Sequence, residues 1–188
     1  MTVAELFEMV SLSPCGPVRW RNAVPESHKG VYVIARVRDP NACCLECDLP
    51  LRNPLPQGVE IDGDYELGRW LRAEPIVYIG KTDQPIEKRV GQFYQQKCGN
   101  RSPHAGGQAI LLLNCDLWVF WSKSANPWDA ELAMLAAFKK QTGRAPYANF
   151  DGQRRPKRIR SHPANSVSMR NVNPIARKTT IFTPGSRS

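Results

Sequence analysis

The chain has 188 residues, a net charge of +9 and 41% hydrophobic residues. This length suits one folded domain with appendages and is enough to bury a self-sufficient core. No apolar run approaches the roughly 18 residues that cross a bilayer, and the first ten residues lack the basic start of a signal peptide. We therefore expect a cytoplasmic protein with no membrane partner.

The first half of the chain alternates strand-like and irregular segments. β-Branched residues after Gly30 favour a strand, and Ile86, Val90 and Phe93 follow Asp83 at helical spacing. In chain order, the prediction is a short amphipathic helix and lead-in (1–29), a strand (30–37), an irregular insertion (38–74) with a small helix near 66–73, a strand (75–79), a turn (80–83) and a helix (84–97).

The second half is predicted to form a strand pair and a well-capped helix. Asn126 is suited to cap that helix, Pro127 to open it and Gly143 to end it. In chain order, the prediction is a polar loop (99–107), two strands (109–113 and 117–121), the helix (127–141) and a loop (146–150). The order β–β–α–β–β–α predicts a compact α+β domain with a small central mixed or antiparallel sheet flanked by helices.

The C-terminal end is a basic segment without periodicity. No acidic residue follows Asp151, so the whole charge excess lies beyond it. We predict a flexible tail over 152–188, either a solubilising segment or an arm that attracts phosphates by counterion release. The candidate nucleic-acid contacts are Arg154, Arg155, Lys157, Arg158 and Arg160, together with Lys81 in the earlier turn.

The cysteines leave two interpretations open. Without an export signal the six cysteines are expected to be reduced. Cys44 and Cys47 have the spacing of half a zinc site, but no second half of comparable spacing exists. The insertion therefore holds either a zinc site completed by distant residues or ordinary cysteines.

Two tyrosines and an arginine occur in settings that suit phosphodiester chemistry. Tyr32 and Tyr78 lie mid-strand, and both phenols face one side if the strands pair. A phenol has an unperturbed pKa of about 10, and beside a metal and an arginine its ionised form becomes easier to reach. Arg89 lies at the edge of an apolar helical stripe, where it can form two hydrogen bonds to a phosphate. The alternatives are packing tyrosines and a surface arginine.

Two further polar residues lie on or after the last helix. Glu131 falls on one helical stripe with Trp128, Leu135 and Phe138, so its burial would cost free energy unless it is paired or binds a cation. Mg²⁺ binds such carboxylate oxygens readily. Asn149, in the loop after the helix, can hydrogen-bond catalytic groups or serve simply as a turn residue.

These residues in this order resemble the GIY-YIG nucleases. Gly30-Val31-Tyr32 and Tyr78-Ile79-Gly80 are similar to the two elements that name that family, and the resemblance covers residues 30–150. It implies that Tyr32 activates the attacking water or acts as general base, and that Tyr78 supports the nucleophile or phosphate. It further implies a phosphate-binding Arg89, a Glu131 that holds one Mg²⁺ or Mn²⁺, and a supporting Asn149.

The resemblance implies a metal-dependent endonuclease that hydrolyses DNA phosphodiester bonds, with DNA as its partner. One active site per chain would require a homodimer, or two visits, to cut both strands. The alternatives are a catalytically inactive nucleic-acid-binding module and a subunit of a larger DNA-processing complex.

Two departures from the family pattern matter. The segment between Tyr32 and Tyr78 is far longer than the usual tight hairpin, so residues 38–74 must form an insertion. Many members have His or Tyr one turn after the arginine, where this chain has Phe93. Tyr94 or His104 is the candidate replacement, and His104 lies in a glycine-containing loop that permits close approach to a phosphate.

Overall fold

The computed structural model describes residues 1–43, 46–56, 59, 61–97 and 105–149 of the chain, without the side chains of residues 105 and 106. Within those ranges it is an α+β structure with five helices and four strands. The helices are α1 (Val3–Glu8), α2 (Gly63–Arg69), α3 (Ile86–Tyr94), α4 (Ala105–Leu112) and α5 (Pro127–Thr142). The strands are β1 (Cys15–Arg19), β2 (Gly30–Ala35), β3 (Ile76–Thr82) and β4 (Trp118–Lys123).

The four strands form one antiparallel sheet in the order β1–β4–β2–β3. Strand β2 is central, and all six of its residues are buried. Tyr32 lies opposite Gly80 of β3 on one side and opposite Trp121 of β4 on the other. Strand β3 is therefore an edge strand.

Helices cover both faces of the sheet because β2 alternates its side chains between two apolar cores. Tyr32 and Ile34 point into one core, and Val31 and Val33 point into the other. Residues of α3 and α4 line the first core, including Val90, Phe93, Ala109 and Ile110. Residues of α1 and α5 line the second, including Leu6, Phe7, Met134 and Phe138.

Several predicted elements are present with small shifts. The N-terminal helix is α1, where Thr2 and Glu5 form a capping box. The predicted helix over 84–97 is α3, and the helix of the insertion, α2, begins three residues before the predicted position. Strand β3 continues through Thr82, where a turn was expected.

Two parts of the predicted order are wrong. Residues 109–113 belong to or directly follow α4 and do not form a strand. Strand β1 lies in the segment predicted as a lead-in, and it pairs with β4. The sheet is therefore completed by β1 at its far edge, and no hairpin joins 109–113 to β4.

The hydropathy of the helices bears on membrane association. Among the described residues, no helix combines the length and apolar character that a bilayer crossing requires.

Candidate active site

The two tyrosines share one face of the sheet. Tyr32 lies directly opposite Gly80, and Tyr78 precedes Gly80 by two residues, so the three residues point the same way. The ring centroids of Tyr32 and Tyr78 are 5.9 Å apart. The ring of Phe93 contacts Tyr78 from α3, with the centroids 5.3 Å apart.

Gly80 is required by this arrangement. A Cβ atom at position 80 would lie 2.6 Å from a ring carbon of Tyr78 and 2.7 Å from the Cζ of Tyr32. Both distances are below any normal carbon–carbon contact. The absence of a side chain at this position is what lets the two phenols share the face.

Burial determines the ionisation of both phenols. It raises the pKa of Tyr32 well above the ordinary value, and the nearby Tyr78 adds to that shift, while Arg89 partly offsets it. Burial likewise raises the pKa of Tyr78. Within the described part of the chain, the enclosed Tyr32 hydroxyl makes no hydrogen bond of good geometry. Both side chains are therefore neutral phenols at neutral pH, and Arg89 acts in the expected direction by lowering both pKa values in part.

Arg89 reaches the tyrosines because the start of α3 is fixed to the segment before β2. The backbone amides of Ile86 and Glu87 donate to the carbonyl oxygens of His28 and Glu26, each at 3.0 Å. Ile86, Val90 and Phe93 are buried, and the adjacent Arg89 remains half-buried. Its guanidinium lowers the pKa of both Tyr32 and Tyr78, which places its positive charge beside the phenols.

Glu131 approaches the same place from the opposite face of the sheet. It lies in the second turn of α5, a helix capped by Asn126 and ended by Gly143 in the left-handed conformation. Burial raises the pKa of Glu131, whereas the charges of Lys81 and Arg89 and a hydrogen bond from the Lys81 backbone lower it in part. The carboxylate also raises the pKa of Tyr78. Glu131 is therefore a partly desolvated acid on which the charges of Lys81 and Arg89 act.

Asn149 is held on the outer edge of β3. Its side-chain oxygen accepts from the Ile79 amide at 2.9 Å, and its side-chain nitrogen donates to the Ile79 carbonyl oxygen at 2.8 Å. The amide of Ala148 donates to the Val77 carbonyl oxygen at 2.8 Å. The Asn149 side chain thus continues the backbone hydrogen bonding along the outer edge of β3. Its two bonds to Ile79 hold the strand at the residue that lies between Tyr78 and Gly80.

The insertion supports that loop through α2. The Tyr147 hydroxyl donates to the buried Glu66 carboxylate at 2.7 Å, and Arg69 donates to the Tyr147 carbonyl oxygen. The rings of Trp70 and Tyr147 meet edge to face, with centroids 5.3 Å apart. The sequence alone gave no sign of this link between the insertion and the Asn149 loop.

A cleft opens at the end of β3, beside these groups. It has a volume of about 450 Å³ and is lined by Lys81, Thr82, Asp83, Gln84 and Arg89. Lys81 makes a loose ion pair with the exposed Asp83 at 3.7 Å. Two cations on one cleft favour an anionic ligand.

Trp128 was expected on the buried stripe of α5, and it is not there. Its side chain is 57% exposed, and its ring lies 4.0 Å from the Lys81 Nζ atom. The buried positions of the helix are Pro127, Met134 and Phe138. Phe138 is buried as predicted, whereas Pro127 and Met134 are buried in place of their neighbours Trp128 and Leu135, and Glu131 is half-buried.

Of the remaining candidate site residues, Tyr94 lies in the described part of the chain. Tyr94 packs edge to face on Trp20, with centroids 4.7 Å apart, and burial raises its pKa to about 12. Its role as the replacement for the group missing at Phe93 stays a prediction. His104 and Cys44 lie outside the described residues. So do the tail cations Arg154, Arg155, Lys157, Arg158 and Arg160. Cys47 lies within them, where its sulfur contacts Arg36.

Comparisons with protein-family models, curated proteins and solved structures give no match to this chain. The functional assignment therefore depends on the geometry of the site and on the residues themselves.

Proposed function

We propose that this protein is a metal-dependent endonuclease that hydrolyses DNA phosphodiester bonds at a GIY-YIG-type site. The observation that supports the proposal most directly is a convergence at the end of one edge strand. The Tyr32 and Tyr78 rings share one face, Lys81 and Arg89 line one cleft, and the charges of Arg89 and Glu131 act on the pKa of Tyr78. Phosphodiester hydrolysis requires a positioned water and positive charge on the phosphate oxygens.

Arg89 and Lys81 are suited to bind the scissile phosphate. Both line the same cleft of about 450 Å³. Arginine presents a planar fork that can donate two parallel hydrogen bonds to phosphate oxygens, and lysine adds a compact positive charge. Because Lys81 is largely enclosed and its partner Asp83 is exposed, a bound phosphate can displace that ion pair at small cost.

Glu131 fits the role of metal ligand. Its carboxylate is partly desolvated, which raises its pKa, so a divalent cation would stabilise the charged form. Mg²⁺ is commonly held by one or two carboxylates together with waters and substrate phosphates, so a single protein carboxylate suffices. In the described ranges no three His, Cys, Asp or Glu residues cluster as a metal cage. Mg²⁺ or Mn²⁺ would supply Lewis-acid stabilisation of phosphate charge.

The two phenols act best as hydrogen-bonding groups. Their raised pKa values keep them protonated at neutral pH. A neutral phenol can both donate and accept a hydrogen bond, so Tyr32 and Tyr78 can orient a water for attack on the phosphorus atom. A general-base role for either tyrosine would require its phenolate, which the positive charge of Arg89 favours by lowering the pKa of both phenols.

A second function is favoured by Phe93. Its ring fills the space beside Tyr78 without a group that can transfer a proton. A catalytically inactive nucleic-acid-binding module, alone or as a subunit of a larger DNA-processing complex, would retain the cationic cleft and dispense with such a group.

Nicking of supercoiled plasmid separates these functions. With Mg²⁺ the parent protein should convert the plasmid to open circles, and with EDTA it should not. Arg89→Ala should slow nicking on the order of 10²–10³-fold, because it removes charge stabilisation at the phosphate. Lys88→Ala is the matched control, since Lys88 is an exposed cation on the same helix.

Glu131→Ala should also abolish metal-dependent nicking, with exposed Glu87→Ala as its control. A parent protein that binds plasmid but never nicks it, with Mg²⁺ or with Mn²⁺, would establish the inactive module instead. Equal effects of Arg89→Ala and Lys88→Ala would refute the phosphate assignment.

A further inference from the structure

An aromatic surface lies immediately beside the cationic cleft. The Trp128 side chain is 57% exposed, whereas a tryptophan on a helix that packs against a sheet is normally turned inward. Trp128 follows the N-cap of α5 by two residues and precedes Glu131 by three. Residues three apart are neighbours on a helix surface, so the ring lies next to the proposed metal ligand.

Lys81 connects this ring to the cleft. Its Nζ atom lies 4.0 Å from the centre of the Trp128 ring, and only 17% of the lysine side chain is exposed. The lysine charge also acts on Glu131 and lines the cleft with Arg89. A phosphate held by Lys81 would therefore have the indole within the reach of its own nucleotide.

The exposed apolar surface continues along α5. Leu132, one turn after Trp128, is 52% exposed. Protein interfaces are depleted in lysine at their centres, whereas nucleic-acid sites combine cations for phosphates with aromatic faces for bases. The position of Lys81 against the ring therefore favours a nucleobase over a protein partner as the occupant.

We propose that Trp128 stacks on an unpaired nucleobase next to the phosphate held by Lys81 and Arg89. The inference rests on the proposed function and adds a substrate class, which is DNA with unpaired bases at the cut. A fully paired base is stacked within the duplex and does not offer its face to the ring.

Binding measured in EDTA tests this assignment apart from cleavage. The probes are a fluorescein-labelled duplex with a central single-stranded gap and the same duplex without a gap, followed by anisotropy. The parent should prefer the gapped duplex. Trp128→Ala should weaken binding to the gapped duplex by about tenfold or more and change binding to the intact duplex little.

Two variants serve as controls. Trp128→Phe keeps an aromatic face and should retain most of the preference. Leu132→Ala removes a neighbouring exposed side chain that does not stack and should leave the preference unchanged. If Trp128→Ala keeps the parent's preference, the proposal is wrong. If Trp128→Ala and Leu132→Ala instead both change the sedimentation coefficient without changing DNA binding, the surface is a protein interface.

Failure of this inference is distinguishable from failure of the proposed function. A parent that nicks plasmid with Mg²⁺, with Trp128→Ala unchanged in gapped-duplex binding, refutes only the stacking. A parent that never nicks but shows Trp128-dependent binding refutes only the nuclease.

Fluorescence quenching provides a second test that does not depend on the alanine variant folding. A gapped duplex should protect the parent's tryptophan emission from acrylamide, and this protection should be lost in Trp128→Phe. Equal protection in both proteins would overturn the proposal.

Discussion

Two tyrosine rings occupy the space that a side chain at position 80 would fill. Tyr32 and Tyr78 both come within 2.7 Å of where a Cβ atom at Gly80 would be. The strand pattern and the family resemblance predict that the two phenols face one side, and the antiparallel register of β2 and β3 confirms this. Their raised pKa values were not predictable, because they depend on how completely α3 and β4 enclose the rings.

Glu131 illustrates a conflict between stability and the proposed function at one residue. Its burial disfavours the charged form that would bind a metal ion. Lys81 and Arg89 offset part of this cost, but the pKa of Glu131 still lies above its ordinary value. The charged side chain therefore destabilises the fold in the absence of a bound cation.

Glu131→Gln should consequently raise the melting temperature at pH 7. A raised folded-state pKa means that stability falls as pH rises through the unfolded pKa towards the folded one. Below the unfolded pKa, about 4.3, both states are protonated and the difference should vanish. The half-exposed position limits the gain to a few degrees. Thermal unfolding of the parent and Glu131→Gln in EDTA across pH checks this, with Glu87→Gln as control. An equal difference in melting temperature between parent and variant at pH 4 and at pH 7 would contradict the raised pKa of Glu131.

At the scale of elements, local signals predict helix ends well. Asn126, Pro127 and Gly143 mark the limits of α5, and each has the expected role in the structure. Which face of the helix is buried was less predictable. The spacing of apolar residues allows either Trp128 or Pro127 to belong to the buried stripe. The choice depends on the sheet that α5 packs against.

Helix α4 and strand β1 were missed for physical reasons. Residues 109–113 are all apolar and all buried, so they carry no period that separates a helix from a strand. Strand β1 contains Gly16 and Pro17, which are both unfavourable inside a sheet. Both residues are tolerated because β1 is an edge strand that, among the described residues, pairs with β4 alone.

The contact between α2 and the Asn149 loop gives a testable role to the insertion. Tyr147→Phe removes the hydroxyl that donates to the buried Glu66 carboxylate. Leaving that acceptor short of a partner should cost about 1–3 kcal/mol of unfolding free energy. Because Asn149 follows two residues later, plasmid nicking should also slow.

Urea unfolding measures the stability change, and Tyr65→Phe on α2 is the matched loss of a phenol hydroxyl. If the two variants are equally stable and equally active, the insertion does not support the site through Tyr147.

At the scale of the whole molecule, the candidate site lies at the edge strand β3, where side chains from both faces of the sheet can come close together. Helix α3 covers one face and carries Arg89, and helix α5 covers the other and carries Glu131. Both side chains reach the end of β3, and an edge strand is where groups from opposite faces can meet. The Ile79 amide donates outward to the Asn149 side chain, and the Lys81 backbone two residues later lowers the pKa of Glu131.

The family resemblance implies which residues belong to the candidate site, but sequence order alone does not show that they lie close together. Arg89 and Glu131 lie on different helices, and their proximity depends on the order of strands in the sheet. The basic segment beyond Asp151 stays a prediction, since it lies outside the described residues.

The most direct test is a double-mutant cycle on single-turnover nicking with Mg²⁺, using Tyr32→Phe and Glu131→Asp. These residues come from β2 and α5, on opposite faces of the sheet. If both act on one phosphodiester, the double variant should lose less than the product of the single losses, with a coupling of about 0.5–3 kcal/mol. Losses that simply multiply would contradict a shared site.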